Sequence, residues 1–216
     1  MGKKNYWQKF HENVHYHIYN RSINRVNLFQ KEKNYYYFLK KWELLIHPFF
    51  ETKAYCLMPN HFHFLASVKP MNDEIRDIIK GQLTSKSRKL LNEEIGYNEF
   101  LEDQFKRLFS SYALAFNKQE GRRGSLFQKR FKRVSLNTES RLWHTLAYVH
   151  HNPIHHKFVK NYQDWKFSSY NIFLSHEPTM VARDKVLDWF DEDKKEARLA
   201  FVNYHQSFKT NRDEDY

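Results

Sequence analysis

"TKAYCLMPNHFHFLASV", residues 52–68, decides how this chain folds. Its halves are rich in β-forming residues and are separated by Met58-Pro59-Asn60. Proline presets φ and asparagine tolerates left-handed backbone, so these three residues form a turn. The spacing predicts antiparallel strands over 52–58 and 61–68. His61 and His63 sit two apart, so both imidazoles share one face while Phe62 takes the other and anchors the strand to the core. Such a pair is either polar packing on a half-buried strand or two legs of a divalent metal site.

Outward from the hairpin, "NVHYHIYNRS", residues 13–22, alternates and reads as an earlier strand. Residues 34–47 carry helical periodicity that Pro48 ends. Asn72 or Asp73 caps a helix expected to run to about Leu91. After "GYNE" another helix buries Phe105, Leu108, Phe109, Tyr112 and Phe116, and "EGRRGS", residues 120–125, breaks it. "SLFQKRFKRVSL", residues 125–136, alternates and predicts a fourth strand. Asn137 or Thr138 caps a helix from Glu139 to about His151, which Pro153 ends or kinks. The order is β-α-β-β-α-β with extra helices. The fold class is therefore α+β: a ferredoxin-like split βαβ antiparallel sheet with helices on one face. Composition shifts near Pro178, so residues 178–216 read as a C-terminal helical appendage to a main domain of residues 1–177.

Charge narrows the partners. Lys plus Arg number 36 against 25 acids, a formal +11 with a pI near 9.5. A basic surface of that size attracts polyanions, and without an amphipathic anchor it favours nucleic acid over membrane. The apolar runs are too short to span a bilayer, and the basic start has no apolar signal core. Cys56 is the single cysteine and forms no internal disulfide, which points to a cytoplasmic protein. From Lys118 to Arg133 there are seven basic residues and one acid, interleaved with Phe127 and Phe131. Arginine forks suit phosphates and aromatic rings suit unstacked bases, so Arg122, Arg123, Lys129, Arg130, Lys132 and Arg133 are nucleic-acid-binding candidates. An ordinary solvated edge strand carries similar charges.

One further pair bears chemistry. Tyr148 and Asn152 are four apart and share a helix face, with Asn152 at the break imposed by Pro153. A phenol beside an amide oxygen able to ligate a metal makes a nucleophile and part of its electrophilic support. A core tyrosine followed by an asparagine before proline has the same spacing.

His61-Phe62-His63, "GSLFQKRFK" at 124–132, "YVHHNPIHHKFV" at 148–159, "WKFSSY" at 165–170 and "HIYNRSINR" at 17–25 resemble, in this order, the HUH single-tyrosine transposases. The resemblance is greatest to their REP-associated tyrosine transposase branch, and it covers roughly residues 13–175. It implies Tyr148 as the nucleophile, with His61, His63 and Asn152 holding Mg²⁺ or Mn²⁺. It implies no other cofactor. The expected activity is cutting and rejoining single-stranded or hairpin DNA through a 5′-phosphotyrosine, by a monomer or homodimer. Two departures from the pattern stand out. His150, His151, His155 and His156 crowd the "HHNPIHH" segment and are left out of the site, and "NRSINR" lacks a glycine after the arginine. Two rivals are a non-catalytic nucleic-acid-binding module with an RNA-recognition-like sheet, and a zinc hydrolase. The first lacks an RNP signature, and the second lacks HExxH and paired CxxC motifs.

Overall fold

A computed structural model describes residues 5–209, so the ends of the expected 1–177 and 178–216 segments, at residues 1–4 and 210–216, lie outside the described residues. Four strands form the sheet: β1 (His15–Arg21), β2 (Phe50–Met58), β3 (His61–Val68) and β4 (Lys132–Ser135). Their order is β2-β3-β1-β4, with every neighbouring pair antiparallel. β1 and β2 thus run parallel with β3 inserted between them, which is the split βαβ arrangement. The Pro59-Asn60 turn joins β2 to β3, and Leu28 and Phe29 donate backbone N–H bonds to the Pro59 carbonyl behind it. The α+β, ferredoxin-like expectation holds.

Register sets which side chains share a face. His63 stands opposite Tyr19 and Cys56, and Phe64 stands opposite Ile18 and Tyr55. Cross-strand partners point the same way, so His17, Tyr19, His61 and His63 line one face. Phe62, Phe64, Tyr16 and Ile18 line the other. That second face meets α1 (Glu32–Leu45) and α4 (Tyr97–Gln119). Trp42 stacks on Phe64 with centroids 3.5 Å apart, while Phe38 and Phe109 pack on Phe62 at 5.0 and 5.9 Å. Phe62 is fully buried there, which anchors the histidine strand.

Helices are not confined to that face. α5 (Glu139–His155), capped by Thr138, lies across the histidine face. It also continues through Pro153 to His155, further than expected, and closes when His156 N–H donates to the Asn152 carbonyl. Two other boundaries differ. The helix expected to reach Leu91 is broken into α2 (Asp73–Gly81) and α3 (Ser85–Leu91). Leu83 has a φ of 49° between them, and the Thr84 hydroxyl caps α3 by accepting from Ser87 N–H. The fourth strand is only four residues long. Leu126 and Phe127 are drawn into the core, where Phe127 packs on Phe109 at 5.0 Å, so residues 128–131 do not join the ladder.

The ends of the described chain close both sheet edges. Along β2, Leu57 N–H donates to the Phe167 carbonyl, Ser169 N–H to Tyr55 and Ala182 N–H to Thr52. Along β4, Arg133 N–H donates to the Tyr6 carbonyl, beside a parallel bridge between Trp7 and Arg133. α6 (Tyr170–Leu174), α7 (Arg183–Leu187) and α8 (Lys194–Ser207) follow. Phe173 stacks on Phe201, and Val186, Leu187 and Ala197 join the same buried cluster as the sheet. No helix among the described residues is long and apolar enough to cross a membrane.

Candidate active site

The histidine face of the sheet and α5 enclose a cavity of about 430 Å³. His61, His63, Tyr148 and Asn152, which lie far apart in sequence, all line it. β3 supplies the two histidines through its two-residue alternation. α5 supplies Tyr148 and Asn152 one turn apart on one face. All four side chains come from one chain. The Tyr148 ring stands edge-on to His63 at 5.6 Å and to His17 at 5.7 Å between centroids.

His17 was not among the residues picked from the sequence. Its Nε2 lies 2.9 Å from His63 Nδ1. Burial pushes His17 down to about 3 and holds His63 well below the usual imidazole range, where His17, His61 and His156 add repulsion. Both rings are therefore neutral at neutral pH, and one proton lies between them. Where His63 Nδ1–H donates to His17 Nε2, the lone pair of His63 is on Nε2, and the reverse donation puts a proton there instead. His61 is oriented likewise: its Nδ1 lies 2.7 Å from the Asn60 carboxamide oxygen. Asn152 is buried, and its Nδ2 donates to the Tyr148 carbonyl at 2.8 Å. That bond commits the amide nitrogen and leaves Oδ1 as the atom of this side chain able to ligate a metal. Sequence had one usable signal for His17: it alternates with Tyr19 and Arg21 in β1, and Tyr19 and Arg21 also line the cavity.

This donor set suits a divalent ion that a substrate helps to hold. Two imidazole nitrogens and one amide oxygen carry no charge, and among the described residues no three His, Cys, Asp or Glu side chains gather into a metal cluster. A neutral set of this kind binds Mg²⁺ or Mn²⁺ weakly unless an anionic phosphate completes it. The histidine face is not open in the manner of an RNA-recognition sheet, since His17 and His63 lie buried against Tyr148 of α5.

The basic candidates separate by parity. Lys132 faces the cavity, opposite Tyr19. Arg133, one residue on, points to the other face. It is buried there, and its guanidinium donates to Glu102 and to the Gln8 carbonyl, so its donors are engaged within the protein. Arg122 donates to Asn117 Oδ1 at 2.8 Å and to the Ser125 carbonyl at 3.2 Å, which ties down the turn. Arg123, Lys129 and Arg130 are exposed and lie outside the cavity lining. The cavity instead gathers Arg21 and Arg25 from the first strand and its turn. His156, set aside in the sequence, also lines it, 5.0 Å from His61 between ring centroids. His150 lies on the opposite side of α5, sealed against α8.

Residues 10–110 match the family described as "Transposase IS200 like". A putative REP-associated tyrosine transposase of Haemophilus influenzae is 31% identical over 124 residues, covering 56% of this chain. The chain spans about 60% of the length of that curated relative. A solved REP-associated tyrosine transposase, described as bound to a REP hairpin, superposes with a TM-score of 0.50. It shares 18% identity, over 81% of this chain and 88% of that one, and shows the common fold. The similarity to REP-associated tyrosine transposases implied by the motifs thus extends to aligned sequence and to architecture.

Proposed function

We propose, from that similarity and from the site, that the protein cuts and rejoins single-stranded or hairpin DNA with Tyr148 as nucleophile. The observation that carries this reading is the Tyr148 ring held against His63 and His17 in a cavity that His61 and Asn152 also line. In the cutting step the Tyr148 oxygen bonds to phosphorus and the bond from phosphorus to the 3′ oxygen breaks. The phenol proton is lost and the 3′ oxygen leaves as a hydroxyl. The 5′ end remains as a phosphotyrosine, which keeps the phosphodiester energy for attack by another 3′-hydroxyl. A divalent ion held by His61, His63 and Asn152 would supply a Lewis acid for a scissile phosphoryl oxygen.

The chain's own residues do the rest. His17 fixes the tautomer of His63, and Asn60 orients His61. α5 holds the phenol and the Asn152 amide at one separation. Arg21, Arg25 and Lys132 make the cavity electropositive, so binding weakens steeply with salt.

Labelled hairpin DNA with a single-stranded flank, incubated with the protein and Mn²⁺, is expected to give an adduct that survives denaturation. Tyr148→Phe removes it. An adduct that persists in Tyr148→Phe rejects Tyr148 as the nucleophile. Hairpin binding without cleavage under any divalent ion would favour the non-catalytic module.

A further inference from the structure

Phe158 is a large apolar ring left in solvent on the wall of the cation-lined cavity. It is 53% exposed and stands outside the buried apolar cluster. Single exposed apolar side chains are ordinary on a protein surface. Its position is what sets this one apart. Trp7 and Tyr36 are exposed rings too, yet neither lines the cavity, whereas Phe158 shares that lining with Arg21, Arg25 and Lys132.

The backbone holds the ring in place. α5 ends in a Schellman turn, with Lys157 at a φ of 58°. Lys157 N–H donates to the Ile154 carbonyl and Phe158 N–H to the Pro153 carbonyl, each at 2.9 Å. Phe158 thus follows, at a fixed offset, the helix that carries Tyr148 and Asn152. Trp165 lies 5.5 Å from it between ring centroids, and Trp165 Nε1–H donates to the Leu57 carbonyl near the end of β2. An apolar residue at this place in a Schellman turn commonly packs back on its own helix. A leucine would serve that purpose, and it would need no aromatic face in solvent.

The cavity's cations suit phosphate, but an apolar ring offers phosphate nothing. The part of a nucleotide that matches a ring face is the base, and stacking accepts any base because each has a π-face. The base must be unpaired, since one inside a duplex is already stacked on its neighbours. We propose that Phe158 is the platform on which an unpaired base beside the scissile phosphate stacks. α5 then places the neighbouring nucleotide as well as the attacking phenol. This rests on the DNA-cutting reading of the cavity and adds what holds the strand next to the cut.

The test reads binding alone, in a Tyr148→Phe background. Fluorescence anisotropy follows a labelled hairpin with single-stranded flanks, in which each flanking nucleotide in turn lacks its base. In the parent, removal of one particular base is expected to weaken binding about tenfold. In Phe158→Leu the same removal should cost less than about twofold, because the platform is already gone. In Phe158→Trp the full cost should return. A purely structural role for Phe158 predicts the opposite, an unchanged cost of base removal in Phe158→Leu. A thermal melt within about 2 °C of the parent confirms that Phe158→Leu folds. If it does not, Phe158→Trp carries the test: the flanked hairpin should quench its added emission, and the hairpin lacking that base should not. The platform is overturned if no base removal weakens binding in the parent, if the cost persists in Phe158→Leu, or if quenching in Phe158→Trp is indifferent to the base. Failure of the cutting reading is separate: it is absence of an adduct in the unsubstituted protein.

Discussion

Two histidine pairs flank α5, and they share almost the same hydrogen bond. On the cavity side His17 Nε2 meets His63 Nδ1 at 2.9 Å. On the other side His150 Nδ1 meets His205 Nε2 at 2.8 Å. Both pairs are buried, and burial depresses both. They differ in where their outer atoms go. The first pair ends on a ring that lines a cavity beside a tyrosine. The second is closed at both ends: His150 Nε2 lies 2.8 Å from Ser169 Oγ, and His205 Nδ1 donates to the Phe201 carbonyl. Ser169 in turn receives Tyr55 N–H from β2, so the chain of bonds ties α8, α5 and the sheet edge together. What a hydrogen-bonded histidine pair can do therefore depends on what its last nitrogen faces.

Substitutions that act on one side only test this contrast. The largest effect is expected at His63. His63→Ala should lower strand cleavage by more than the 10- to 100-fold typical of groups that only orient a ligand, measured as initial rate with Mn²⁺ while hairpin binding persists. His17→Phe comes next, at about 10- to 100-fold. It should also weaken Mn²⁺ binding, measured by calorimetry or paramagnetic broadening; unchanged metal affinity would break the assignment of His17 as the ring that orients His63. His150→Phe is expected to leave the cleavage rate within about threefold. It should instead cost about 2 kcal/mol of stability by orphaning His205 and Ser169, seen as a melting point lower by roughly 4–8 °C. A large loss of cleavage with unchanged melting would erase the distinction between the pairs.

The smallest effect is on the pH dependence of folding. His205 is pushed down to about 4 by burial, from an ordinary value of 6.5. Between those values the unfolded histidine binds a proton that the folded one does not. Stability therefore falls as pH drops from 6.5 toward 4, by at most about 1.4 kcal/mol per pH unit for this group. His205→Gln should flatten that part of a denaturation-versus-pH curve, and an unchanged slope would assign the acid sensitivity to other histidines.

Legibility in the sequence followed the range of the interaction. The β2–β3 hairpin, the Thr138 cap and the shared face of His61 and His63 rest on neighbours within a few residues, and all were readable. The resemblance singled out Tyr148, because one tyrosine among 14 has no local mark. His17 was missed because its partner lies 46 residues away and the pairing depends on strand register. The same register divides the basic run. Lys132 and Arg133 look alike as residues, yet β4 pairing with β1 sends one to the cavity and the other to Glu102. The break at Leu83 was hidden because the apolar pattern continues across it, whereas its cause is a cap at Thr84.

The closed edges of the sheet bear on how copies of this chain meet one another. Residues 165–169 and 182 run along β2, and Tyr6 covers β4, so neither outermost strand presents a free ladder. A sheet finished in this way cannot be extended by a second molecule adding its own strand. Copies of this chain would then meet side by side without welding into a continuous sheet, and a version shortened at either end would lose that protection before it lost its core.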